Sequence, residues 1–304
     1  VSKVAFLFPG QGAQAVGMGR QLDGDVPAAR ALFDRANEIL GFDLRAVCFE
    51  GPEEELERTD ISQPAIFVAS LAALEGLKAS QPELVASASG AAGLSLGEYT
   101  ALVFAGALGF EEGLRLVQRR GRAMQDASNA TPSGMTSILG LDPPQVEELC
   151  RRLTHKGRLW LANLLGPGNI VVSGDQAALD ILEPEAQAMG AMKVVPLAVA
   201  GAFHTPLMKP ADEILAGVLR ETPVQAGRIP VYSNVTAAAH SSDPDAIRAT
   251  LAQQVTTRVR WEESVRRMIS DGFDTFYEIG PGRVLTALLK RIDRKIPCTS
   301  VPAA

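Results

Sequence analysis

The chain has 304 residues, a net charge of −6, and 46 % hydrophobic against 21 % charged residues. That length makes one large domain, or one domain carrying a smaller insert, with ample core, and the balance is that of an ordinary soluble globular protein. The acidic charge argues against nucleic acid as the main partner, which needs a broad basic surface, and no apolar run approaches the roughly 20 residues of a membrane span.

The first residues show no basic stretch followed by an apolar signal core, so nothing marks export and a cytoplasmic setting is expected. Cys48, Cys150 and Cys298 are odd in number, far apart and without metal-type spacing, so they read as reduced thiols rather than disulfide partners or zinc ligands. His155, His204 and His240 are equally scattered, and no metal site is expected.

In chain order, "VAFLF" is the first strand candidate, and the glycine-rich "PGQGAQAVGMG" after it is expected to run into a helix. Residues 26–40 pattern as a helix with Asp25 available as its N-cap. "SQPAIFVASLAALEGLKAS" is a long helix rich enough in apolar residues to be buried, and "LVASASGAAG" is a weak strand because small residues lack strand preference. "EYTALVFAGAL" then reads as a buried helix, and "LVQRRGRAMQ" as part of a more exposed one.

A different rhythm occupies residues 135–199. "GMTSILGL" reads as a strand, "PPQVEELCRRLT" as a helix, "LWLANLL" and "NIVVSGD" as strands, "QAALDILEPEAQAMG" as one helix and "MKVVPLAV" as a strand. That βαββαβ order is the ferredoxin-like unit. Afterwards come helix "ADEILAGVLRET", strand "IPVYSNV", helix "PDAIRATLAQQV", strand "TFYEIG" and helix "RVLTALLKRI". The fold expected is α/β: a larger subdomain with a parallel sheet over residues 1–130 and 200–304, and a ferredoxin-like insert over 131–199.

Two motifs carry chemistry. Gly93-Leu94-Ser95-Leu96-Gly97 fits G-x-S-x-G, the nucleophile elbow in which a serine sits on a tight strand-to-helix turn. The bland alternative is a glycine-rich helix start with a capping serine. A serine needs a base, and His204 in "GAFHTPLMKP" is the best candidate, whereas His155 and His240, in polar segments, are expected to face solvent. Gly10-x-Gly12-x-x-Ala15 also fits a dinucleotide-binding loop, but the acid nearest the expected spacing, Asp34, falls within a helix pattern.

With these residues in place the sequence resembles the malonyl-CoA:acyl carrier protein transacylases, acyltransferases of fatty acid and polyketide synthesis. The similarity runs through "FPGQGAQAVGMG", "SQPAIFVAS", "GLSLGEYTALVFAGAL", "RRGRAMQ", "GPGNIVVSG", "AFHTPLMKPA", "SNV", "QVTTRVRWEESV" and "EIGPGRVL", in family order. The resemblance implies a hydrolase-like larger subdomain and ping-pong transfer of malonyl from malonyl-CoA to the phosphopantetheine thiol of acyl carrier protein, through an ester on Ser95 with His204 as base and no cofactor. It implies further that the backbone N–H groups of Gln11 and Leu96 form the oxyanion hole, and that Arg120 pairs with the free malonyl carboxylate. The Gln254 main-chain carbonyl would orient His204 in place of a triad acid, Asn163 would lie near the acyl group, and Phe203 would limit room for an α-methyl branch. Arg119 and Arg122 remain surface charges on this reading.

Leu94 stands where most family members carry histidine, and Leu165 and Asn169 replace the usual asparagine and glutamine of the segment around Asn163. These variants resemble the plastid-type branch, so a plastid setting after transit-peptide removal is a second expectation. A serine thioesterase or esterase on the same elbow is the alternative function; it predicts a carboxylate as third member and gives Arg120 no role.

Overall fold

In the computed structural model, which describes residues 2–304, the run Val4–Phe8 is β1, the middle strand of a five-stranded sheet. The strands are β1 (Val4–Phe8), β2 (Ala88–Gly93), β3 (Ser133–Leu139), β4 (Leu159–Gly166), β5 (Asn169–Asp175), β6 (Lys193–Pro196), β7 (Val231–Tyr232), β8 (Thr275–Gly280) and β9 (Cys298–Pro302). The larger sheet has the order β7-β2-β1-β8-β9 with every pair parallel.

A parallel sheet carries helices on both faces, so its central strand is apolar throughout rather than alternating. All five residues of β1 are buried. Phe6 and Phe8 face one core with Phe67, Leu71 and Leu102, while Ala5 and Leu7 face a second with Trp261, Phe273 and Phe276. That is the period-2 side-chain alternation of a strand sandwiched between two layers. The helix Thr59–Ser80 is buried along most of its length, as its composition requires.

The second sheet is antiparallel with order β4-β5-β3-β6. Its helices, Pro143–Arg152, Gln176–Leu179 and Leu182–Ala188, bury Val146, Leu149, Ala178 and Leu182 against Ile138, Ile170 and Val172. Chain order β-α-β-β-α-β with this strand order is the ferredoxin-like arrangement. The insert is stitched to the larger unit beside β4: Leu164 N–H donates to Val259 O at 2.8 Å and Val259 N–H to Ala162 O at 2.7 Å.

Several local expectations are corrected. The glycine-rich loop does not run straight into a helix; turns follow it, and the next helix begins only at Arg20. Asp25 ends that short helix, and the N-cap of Pro27–Leu40 is Val26, where a proline in the first turn removes one of the N–H groups a cap would serve. "QAALDILEPEAQAMG" is two helices, broken at Asp180 and Ile181, and "IPVYSNV" contributes only the two residues of β7. β2, weak by composition, is a full six-residue strand whose small residues fit tight surroundings: a Cβ on Gly90 would lie 2.2 Å from the Phe273 ring.

Candidate active site

β2 ends at Gly93, the chain turns through Leu94, Ser95 and Leu96, and a helix starts at Gly97. The glycines of the elbow are dictated by backbone crowding. A Cβ on Gly93 would sit 1.9 Å from the Gly97 carbonyl carbon, and one on Gly97 would sit 2.0 Å from Phe8 O. Ser95 has φ 50°, left-handed backbone uncommon for a side-chain-bearing residue. Asn234 holds it there, accepting from Ser95 N–H at 2.6 Å and donating through Nδ2 to Gly93 O at 2.8 Å.

His204, 109 positions away, comes to the same point: Ser95 Oγ and His204 Nε2 are 2.9 Å apart. His204 also has left-handed backbone, φ 60°, pinned by its N–H to Val255 O at 3.0 Å. Its Nδ1 lies 2.9 Å from Gln254 O. A carbonyl only accepts, so Nδ1 carries the proton, and Nε2 of the neutral ring accepts from the serine hydroxyl. Burial, with the Arg120 guanidinium adding to it, pushes the His204 pKa down to about 4. The ring therefore stands neutral at pH 7, ready to take a proton.

Arg120 is 1 % exposed on the helix Phe110–Ala130, whereas Arg119 and Arg122 are exposed. Its Nη2 donates to Ser95 Oγ and to Gln254 Oε1, both at 2.9 Å, and Nη1 donates to Gln63 Oε1 at 2.7 Å. Its Nε–H is buried without a partner. The guanidinium lies over the Tyr99 ring, 5.3 Å from its centroid. Burial draws its pKa below the ordinary value, with Tyr99 and then Glu98 acting against that shift.

The first glycine-rich loop packs backbone to backbone on the elbow. Leu94 N–H donates to Phe8 O at 3.0 Å, and a Cβ on Gly10 would lie 2.3 Å from Leu94 O. Among the described residues, neither Gln11 N–H nor Leu96 N–H donates to another protein group. The Gln11 side chain turns to Thr59 Oγ1 at 3.3 Å. The turns after this loop leave no helix N-terminus for a pyrophosphate, and Asp34 pairs with Arg45 at 2.6 Å, so the dinucleotide reading has no support.

Other expected residues stand as follows. Gln254 is buried, and its side chain does more than pack: besides accepting from Arg120, it donates to Ser95 O at 3.0 Å and to Glu98 Oε2 at 2.6 Å. Phe203 is buried immediately before His204. Asn163 lies on β4 opposite Val259; its Oδ1 is buried and unpartnered, and no hydrogen bond ties it to Ser95, His204 or Arg120. His240 does not face solvent. Its side chain is 5 % exposed, with Nε2 2.6 Å from Glu98 Oε1. Glu98 is the residue that the motif reading passed over: a fully buried carboxylate, one turn past the nucleophile in "GLSLGEY".

The family model for the acyl transferase domain matches residues 5–303. The chain is 43 % identical over 304 residues to the malonyl CoA-acyl carrier protein transacylase of Bacillus subtilis (99 % of this chain, 94 % of the relative). It superposes on the crystal structure of an acyl-carrier-protein-S-malonyltransferase from Bartonella henselae with TM-score 0.94 and 37 % identity, covering 98 % of this chain and 95 % of that one. It also superposes on a malonyl-transacylase solved in complex with its type II PKS acyl-carrier protein, with TM-score 0.93 and 37 % identity, covering 99 % and 96 %. The chain therefore belongs to the acyl transferase family, among its malonyl-CoA:acyl carrier protein transacylases.

Proposed function

We propose that this site transfers malonyl from malonyl-CoA to the phosphopantetheine thiol of acyl carrier protein by a ping-pong route, with Ser95 as nucleophile and His204 as base. Ser95 Oγ attacks the thioester carbonyl carbon while its proton passes to His204 Nε2, 2.9 Å away. The negative charge moves to the carbonyl oxygen, for which the Gln11 and Leu96 N–H groups are free donors. Collapse breaks the C–S bond, His204 returns the proton to the coenzyme A sulfur, and a malonyl ester stays on Ser95. The carrier thiol then gives its proton to His204, attacks the ester, and leaves with the malonyl group as Oγ regains hydrogen.

The observation that carries this reading is that a neutral base and a buried guanidinium converge on one hydroxyl, each at 2.9 Å. Arg120 offers its unpartnered Nε–H, together with the Nη2–H that Ser95 Oγ gives up to the substrate, as a planar fork matching a carboxylate. A substrate without the carboxylate leaves that buried charge unpaired, which is costly. The hydrolase alternative fits less well: Nδ1 of His204 rests on a main-chain carbonyl rather than on a carboxylate, and hydrolysis needs no buried guanidinium at the nucleophile.

The test is to incubate the protein with malonyl-CoA and acyl carrier protein, with and without its phosphopantetheine arm, and to weigh the carrier. Malonylation of the armed carrier alone, abolished by Ser95→Ala, is expected. Free malonate released at the same rate with or without carrier would favour the hydrolase.

A further inference from the structure

Gln254 holds three parts of the site at once: its carbonyl faces His204, its Oε1 faces Arg120 and its Nε2 faces Ser95 O. The amide has two orientations, and only one serves. Arg120 Nη2 is an obligate donor, so Oε1 must point to it; the reversed amide sets NH₂ against guanidinium. Ser95 O tolerates the NH₂ group but is a single carbonyl at the half-buried elbow. The second acceptor on Nε2, at 2.6 Å, is Glu98 Oε2.

Glu98 is fully buried on the helix Gly97–Phe104 and makes its hydrogen bonds to Gln254, Asn234 and His240 rather than to Ser95 Oγ, His204 or Arg120. Its Oε2 also accepts from Asn234 N–H at 3.0 Å, and Asn234 clamps Ser95 N–H and Gly93 O. Its Oε1 accepts from His240 Nε2 at 2.6 Å. His240 is fixed in turn by its N–H to Val231 O at 2.8 Å, at the first residue of β7. One carboxylate thus reaches both supports of the active site, Gln254 and Asn234, and is itself held by a histidine.

We propose that Glu98, oriented by His240, is a positioning residue for malonyl selection: it fixes the polarity of the Gln254 amide and thereby the direction of the Arg120 fork. This rests on the transferase reading above. An acceptor at the Oε2 position is what the device requires, and a negative charge is not. In Glu98→Gln the amide can keep its oxygen toward Gln254 and Asn234 and turn its NH₂ toward His240, whose other neutral tautomer accepts at Nε2. Glu98→Leu supplies no acceptor.

The experiment compares the kcat/KM of acyl-enzyme formation from malonyl-CoA and from acetyl-CoA in wild type, Glu98→Gln and Glu98→Leu. Glu98→Met, unbranched and easier to pack, is made alongside, and each fold is checked by thermal unfolding. Glu98→Gln is expected to keep the malonyl-to-acetyl ratio within about threefold of wild type. Folded Glu98→Leu or Glu98→Met is expected to lower that ratio at least tenfold, with a higher KM for malonyl-CoA. Equal losses for both thioesters, or an unchanged ratio, would overturn the proposal. So would failure of both apolar variants to fold, because Glu98 would then serve stability alone. A wild-type protein that forms no malonyl adduct refutes the transferase reading itself, a result distinct from all of these.

Discussion

Replacing Arg120 with alanine tests how the site recognises its substrate. The side chain is 1 % exposed and makes three hydrogen bonds within the protein, so the malonyl carboxylate meets a guanidinium already desolvated and aimed. Truncating one partner of a buried, hydrogen-bonded charge pair costs about 2–5 kcal/mol. At about 1.4 kcal/mol per tenfold, kcat/KM for malonyl-CoA should fall between about 30-fold and a few thousandfold. Acetyl-CoA has no carboxylate to lose, and the alanine variant removes the unpaired charge that opposes it. Acetyl transfer should therefore hold or rise as malonyl transfer falls. The assay is single-turnover acylation with each thioester, followed by intact mass. Gln63 Oε1 and Gln254 Oε1 each lose a donor in the variant, so thermal unfolding is measured in parallel. A folded variant that loses both activities by the same factor would refute the reasoning and make Arg120 a structural prop.

Four further outcomes are expected. With the His204 pKa pushed down to about 4 and the base acting neutral, kcat/KM for acylation should stay level from neutrality to about pH 5 and fall tenfold per unit below about 4; a midpoint near the ordinary 6.5 would contradict this. The same depression means that the unfolded chain binds its proton first as pH drops. Stability from this group is therefore complete above 6.5 and lost between 6.5 and about 4, amounting to about 3 kcal/mol in denaturant titrations across that window. Gly97→Ala places a Cβ 2.0 Å from Phe8 O, where main chain rather than a flexible side chain must move; a loss of about 1–3 kcal/mol in urea unfolding is expected, and wild-type stability would show the elbow to be looser than drawn. For the carrier, Lys290 and Arg294 are exposed cations without an ion-pair partner among the described residues, whereas Arg122 is engaged with Asp126 and Arg291 with Pro167 O. Reversing Lys290 and Arg294 to glutamate should raise the carrier KM several-fold at low salt and leave acylation by malonyl-CoA untouched; an unchanged carrier KM would remove that patch.

Much of the site was legible because its signals are local. The elbow shows as two glycines around a serine ahead of an apolar helix, and β1 as five consecutive apolar residues before a glycine-rich loop. Choosing Arg120 over Arg119 and Arg122 needed the family resemblance, since one helix carries all three and only packing buries the middle one. What stayed hidden depends on partners distant in sequence. Glu98 meets His240 across 142 positions, so a histidine in the polar stretch "AAAHSSDPD" reads as solvent-facing until the fold folds it inward. β9 was missed for a different reason: an edge strand of five residues, none fully buried, gives no clear alternation. β2 shows the reverse case, where close approach to Phe273 and the elbow overrides weak strand propensity.

The most direct measurement is rapid-quench mass spectrometry of the protein mixed with malonyl-CoA alone, with peptide mapping of the adduct. One malonyl group per chain, ester-linked to Ser95, formed within a turnover and cleared on adding armed carrier, is the predicted result. An adduct on another residue, or turnover in which Ser95 is never modified, would contradict the account.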